Sequence, residues 1–167
     1  DNDRTYRLIV PQEDGSILCF DIEGEEVEGW EYESNGEVVK RSLQHAMVSG
    51  RDYIIGATDS GSVVALSRRG NERLNLNSQL FLGKNSELVI KAGSKLSTSF
   101  IYTSDSVGNV LKLNFEDKLE TTVYRLFEGE HYFACHDIDE DGALDYILAD
   151  QHSLYVFDQD KVEIFTE

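Results

Sequence analysis

Nine consecutive residues hold the densest potential for chemistry in this chain. Asp137-Ile138-Asp139-Glu140-Asp141-Gly142-Ala143-Leu144-Asp145 sets carboxylates at loop positions 1, 3, 5 and 9, with glycine at position 6. A Ca2+ ion takes six to eight hard oxygens at about 2.3–2.6 Å, and alternate side chains of a tight loop can converge on one. The expected ligands are the carboxylates of Asp137, Asp139, Asp141 and Asp145 and the carbonyl of Ala143. Gly142 permits the sharp turn this requires. Carboxylates packed so closely repel one another unless protonated or metallated. The competing reading is an empty, solvated acidic turn. A bound ion would act mainly as a staple, joining the strand that ends at Cys135-His136 to the one that begins at Asp145.

Other reactive residue types carry less. His45, His131, His136 and His152 show neither i, i+2 strand spacing nor an HExxH arrangement, so ordinary turn or strand histidines are expected. Cys19 and Cys135 lie in apolar runs and read as free core thiols. Ser16, Ser62 and Ser153 fall in turns without a G-x-S-x-G elbow. No phosphate-binding glycine loop is present. Trp30 and Tyr32 are candidates for stacking on a sugar or peptide, but a tryptophan docked between packed units is the preferred reading.

Four related segments must position the acidic loop. They begin at Arg7, Asp52, Ser99 and Asp145, spaced by 45, 47 and 46 residues. Each opens with a β-branched or aromatic run, then a polar turn: Asp14-Gly15-Ser16, Ser60-Gly61-Ser62, Gly108-Asn109 and His152-Ser153. A second alternating run follows (17–20, 63–66, 110–113, 154–157), then a second turn and a more polar third strand. The stretches 42–48, 87–92 and 131–136 can supply a fourth strand, although 38–48 fits a helix about as well. Four short strands per period of about 45 residues is the sequence signature of a propeller blade. Such a unit buries its faces only by stacking on its neighbours. The expectation is therefore one all-β, β-propeller-like domain over residues 1–167. It has about four blades of four antiparallel strands, with units near 1–37, 38–82, 83–127 and 128–167. A plain β-sandwich is the alternative, but it requires no regular period.

Two segments carry a family resemblance. ILCFDIEGEEVEGW (17–30) resembles the quinoprotein-type, or PQQ-like, repeat, in which a strand enters an acidic-Gly turn and then a docking Trp. Asp21, Gly24 and Trp30 occupy those places; the second unit keeps only Gly70, and the third and fourth keep neither. HDIDEDGALDYILAD (136–150) resembles the Asp-rich FG-GAP or VCBS-type repeat. An EF-hand would place Glu at position 12, where Leu148 stands; the FG-GAP and VCBS loops use Asp at position 9, which Asp145 matches. Residues 1–8 align with 139–146, with Arg4 and Arg7 replacing the glycine and the last aspartate. The expectation from this is a fragment or open arc of a larger propeller, its first inner strand lying upstream. Such an arc would close with missing blades of the parent chain or with a second copy in a homodimer.

Composition bounds the function. With 15 Lys+Arg against 32 Asp+Glu, the net charge is −17, which argues against nucleic acid or an anionic membrane surface as a partner. No apolar run approaches the ~20 residues of a transmembrane helix. Two functions remain. The first is a non-enzymatic interaction or scaffold module with a structural Ca2+ loop, binding a protein or glycan partner. The second is part of a larger propeller enzyme of the quinoprotein dehydrogenase or polysaccharide lyase type. A quinone needs several cationic and amide ligands around a closed funnel, and the repeats supply no such cluster. Weak Ca2+ sites fill at extracellular calcium levels, so an extracellular, periplasmic or cell-surface location is expected.

Overall fold

The computed structural model describes residues 6–39 and 41–166. Residues 1–5, which the sequence aligns with the acidic loop, lie outside the described part, as does any site there. The repeat is written first in the turns. Asp21, Ser67, Asn114 and Asp158 each donate their N–H to the carbonyl four residues on, and each accepts the N–H three residues on. Their side-chain oxygens also accept backbone N–H groups inside the turn, from Glu23, Arg69, Glu116 and Val162 among others. The one left-handed residue of each turn is Gly24, Gly70, Asp117 or Lys161. Short Asp, Asn and Ser side chains favour this local bonding, so the same hairpin recurs at intervals of 46, 47 and 44 residues.

These turns join short antiparallel strands into four sheets among the described residues. The first pairs β1 (Leu8–Pro11) with β2 (Ile17–Phe20). The second runs through β3 (Gln44–Val48), β4 (Arg51–Ala57) and β5 (Val63–Leu66). Their outermost strands shrink to single bridges, Phe20 to Glu26 and Leu66 to Glu72. A two-residue piece, β6 (Asn85–Ser86), precedes the third sheet. That sheet is a four-stranded meander of β7 (Val89–Lys91), β8 (Phe100–Ser104), β9 (Asn109–Asn114) and β10 (Leu119–Val123). The fourth contains β11 (Tyr132–His136), β12 (Asp145–Ala149), β13 (Leu154–Phe157) and β14 (Glu163–Thr166). Here β6 adds a parallel pairing to β11, which makes five strands. The stretch 38–48, ambiguous in sequence, turns into β3; a single 3-10 turn, Leu96–Thr98, is the helical element described.

The sheets pack face on face in chain order. One apolar cluster joins Ile9 and Ile17 of the first sheet to Ile54 and Leu66 of the second. Another joins Tyr53, Ile55, Val63 and Ala65 to Ile101, Leu111 and Leu113 of the third. A third joins Tyr102 and Val110 to Phe133, Tyr146, Leu148 and Tyr155 of the fourth. The period-two alternation of a strand makes this possible, because neighbouring residues such as Ile101 and Tyr102 serve opposite faces. The last interface is rich in aromatics: Tyr146 lies 4.8 Å from Tyr124, 6.0 Å from Tyr102 and 6.4 Å from Phe133, centroid to centroid.

One sequence similarity misleads. DYII at Asp52 and DYIL at Asp145 look equivalent, yet Tyr53 faces forward to the third sheet and Tyr146 faces back to it. Six residues separate Asp52 from Thr58, where its hairpin begins, and five separate Asp145 from Asp150. A slip of one residue moves every side chain of a strand to the other face.

Candidate metal centre

Antiparallel β11 and β12 carry the acidic loop, with His136 opposite Asp145 at its mouth. Glu140 (φ 62°) and Gly142 (φ 88°) adopt left-handed backbone, which winds residues 137–144 back on themselves. The loop's N–H groups then point inward at carboxylates. Ile138 donates to Asp145 Oδ2 at 2.7 Å, Gly142 to Asp137 Oδ2 at 3.0 Å and Asp141 to Asp139 Oδ1 at 3.1 Å. Each of these three aspartates spends one oxygen on the loop's own backbone and retains the other.

Asp137, Asp139 and Asp145 converge: each offers a carboxylate oxygen, and the three oxygens lie within 4.8 Å of one another. Oxygens bound at about 2.4 Å to one ion can stand at most about 4.8 Å apart, so the trio fits a single Ca2+-sized cation. Asp145 is 1% exposed, while Asp137 is half-buried and Asp139 exposed, so the site opens outward from a buried anchor. Asp137 Oδ1 is itself buried and has no hydrogen-bond partner. A buried carboxylate oxygen without a donor is costly, and a cation is the partner this chemistry favours. The all-oxygen donor set suits a hard ion such as Ca2+ rather than a thiophilic metal.

Of the expected carboxylates, Asp141 is not part of that trio. Asp141 is exposed, and its Oδ1 accepts the Ala143 N–H at 2.7 Å. A charged neighbour missed in the sequence also reaches the loop: Lys91 Nζ, from β7 of the third sheet, donates to the Gly142 carbonyl at 3.2 Å. Lys91 precedes the loop by 46 residues or more, so only the stacking of sheets could reveal it.

The remaining candidates separate into structural roles. Trp30 is half-buried, its Nε1 donates to the Ile17 carbonyl at 2.6 Å, and its ring packs into the first interface. Gly70 makes room for it, since a Cβ there would stand 3.0 Å from Trp30 Cε2. Cys19 and Cys135 are free thiols. Burial pushes both up in pKa, which holds them as unreactive thiols. His131 is buried; its Nε2 lies 2.9 Å from Ser104 Oγ, which lies 2.6 Å from Ser86 Oγ. Its ring stacks on Phe127 at 4.8 Å. Burial lowers the His131 pKa, against the opposing pull of the Asp105 carboxylate and the Gly129 backbone. With Ser86 and Ser104 fully buried, this chain of hydroxyls and imidazole joins strands rather than meeting a substrate. His45 Nε2 pairs with Asp52 Oδ1 at 2.8 Å on the surface of the second sheet. The β3–β4 hairpin makes those two diagonal neighbours, a signal already present in the Ser49-Gly50 turn.

No family model matches the chain, and no curated protein matches it either.

Proposed function

We propose that this chain is a non-enzymatic interaction module whose four units stack as successive blades of a β-propeller-like arc. Its acidic loop binds Ca2+ as a structural staple between β11 and β12. The recurrent hairpins and the ordered face-on-face packing support the arc reading, as does the resemblance to PQQ-like and FG-GAP or VCBS-type repeats. The convergence of Asp137, Asp139 and Asp145 carries the metal reading. In that role Asp137, Asp139 and Asp145 are the core ligands, and Asp141 and Ala143 complete the set on small loop adjustments. A staple of this kind holds the last unit rigid, so that its exposed edges present a fixed surface to a protein or glycan partner. A site of this openness fills at millimolar calcium, which favours an extracellular, periplasmic or cell-surface setting.

The test is thermal unfolding with and without calcium. An ion that binds only the folded chain at a hundredfold excess over its Kd adds about 2.7 kcal/mol. That corresponds to a rise of roughly 5–10 °C in Tm for a chain of this size. An unchanged Tm, together with no heat of Ca2+ binding by calorimetry, would rule the metal out.

A further inference from the structure

The first two units bond alike along their outer rim up to one position. Ahead of the turns that open at Asp21 and Ser67, the carbonyls of Cys19 and Ala65 accept the N–H groups of Val27 and Arg73. By the two-residue alternation of an antiparallel ladder, the next carbonyls to point outward from β2 and β5 are those of Ile17 and Val63. Ile17 has its donor, the Trp30 Nε1–H at 2.6 Å. Val63 has none among the described residues. The residue 46 positions after Trp30 is Leu76, which carries no side-chain N–H. The glycine beneath the Trp30 ring, Gly70, is matched in the third unit's turn by Asp117. The Asp117 carboxylate takes the N–H groups of Asn77 and Ser78, at 3.0 and 2.9 Å, and so draws the chain off the β5 edge.

A groove of about 690 Å³ is left beside β5, lined by Tyr32, Glu33, Glu37, Val63, Glu72 and Leu76 among others. Among the described residues no lysine or arginine lines it. Glu33 and Glu72 are exposed, and Glu37 is half-buried. Hydrogen bonds from the hydroxyls of Ser60 and Ser62, and less from Thr58, hold the Glu37 carboxyl below the usual carboxylate range. These donors are neutral, so they leave its charge uncompensated. None of the three glutamates forms an ion pair among the described residues. Arg73, beside Glu72 in the chain, lays its guanidinium over the Tyr53 ring in the interface with the third sheet. One groove thus brings together a carbonyl without a donor, an aromatic ring and three carboxylates without a cation.

We propose that this groove receives an arginine side chain from an exposed basic segment of a partner protein. The guanidinium donates an N–H to the Val63 carbonyl, as the Trp30 indole does to Ile17 in the first unit. Its flat face lies along the Tyr32 ring, and its charge meets Glu33, Glu37 and Glu72. Arginine suits the site because it combines a planar donor with a weakly hydrated charge, where lysine offers a point charge alone. The first unit shows that a planar N–H donor fits against this rim, and the carboxylates select a cationic one. Both walls of the groove, 31–37 and 62–76, lie within the described chain. This inference rests on the interaction-module reading and gives it a partner, but it does not involve the metal loop.

The probe is the capped tripeptide Gly-Arg-Gly, titrated into the full chain to about 10 mM, roughly ten times a Kd at the weak end of specific binding. Two analogues accompany it: citrulline in place of arginine, which keeps the planar donor without the charge, and lysine, which keeps the charge without the fork. Binding is followed through the carbonyl carbon resonance of Val63 and the ring protons of Tyr32. The arginine peptide should move both signals. The citrulline and lysine peptides should each bind about fivefold more weakly. Glu33→Gln, Glu37→Gln and Glu72→Gln together keep the groove's shape, and should weaken the arginine peptide about tenfold while leaving citrulline unchanged. Equal affinity of the three peptides, or binding that leaves the Val63 carbonyl unmoved, would overturn the proposal. A Val63 shift that grows with protein concentration in the absence of peptide would assign the groove to a second copy and overturn it too. No binding of the arginine peptide by a protein whose Tm still rises with Ca2+ would remove the arginine site and leave the module reading in place.

Discussion

The second and fourth units reverse direction in the same place by opposite means. Between β3 and β4 the chain turns on two residues, Ser49 and Gly50, both left-handed, and Val48 pairs directly with Arg51. Between β11 and β12 the same step takes residues 137–144, and His136 pairs with Asp145 across the gap. The flanking strands bond alike, so the longer loop adds nothing to sheet geometry. Its content is electrostatic: aspartates held together by inward N–H groups. The lesson is that the repeat tolerates either closure, and that chemistry enters where the hairpin is longer than pairing requires.

Removing the two aspartates beside the turns breaks this comparison most sharply. Asp145→Ala strips a buried acceptor from the Ile138 N–H and the deepest carboxylate from the trio. It should cost about 2–3 kcal/mol in denaturant unfolding and abolish the calcium-dependent rise in Tm. Asp52→Ala removes only a surface partner of His45 and should change stability by no more than about 0.5 kcal/mol.

Transplanting the short turn sharpens the same contrast. With residues 137–144 replaced by Ser-Gly, β11 and β12 should still pair, as read by amide exchange, while Tm becomes independent of calcium. A calcium response that survives the transplant would place the site elsewhere.

Acid separates the buried from the exposed polar groups. Burial holds the folded pKa of His131 below its ordinary 6.5, so the folded chain favours the neutral ring. Stability should therefore be complete above about pH 6.5 and fall as the pH drops through the depressed folded value. His131→Gln should flatten that limb of the pH–stability curve. An unchanged slope would show that the ring charges as readily inside the fold as out.

A modest effect is expected at the glycines. Gly50 (φ 72°) and Gly142 (φ 88°) have open space where a Cβ would lie, so alanine meets conformational strain and no clash. Each substitution should cost about 1 kcal/mol. Gly142→Ala alone should also weaken calcium binding.

Much of the fold was legible because turns are local. Asp-Gly-Ser and Arg-Gly-Asn declare their hairpins without tertiary help, and the period follows from them. The docking of Trp30 was legible through the resemblance to the PQQ-like repeat, in which a tryptophan follows the acidic-Gly turn, whereas the room that Gly70 makes for its ring was not. Facing was not legible. Whether Tyr53 or Tyr146 looks forward depends on one residue of strand length, which periodicity alone does not count. The acidic loop announced its ligands by spacing, and of its aspartates Asp137, Asp139 and Asp145 converge. The buried Ser86–Ser104–His131 chain had no sequence signal, since its members come from three separate segments.

The parallel clip of β6 on β11 has a mechanical consequence. Asn85 and Ser86 precede the third sheet in the chain but belong to the fourth. Under tension the last sheet cannot peel away as an independent leaf, because its innermost strand is threaded to the leader of its neighbour. Forced extension from the carboxyl end should release these two as one event, a single long step rather than two short ones.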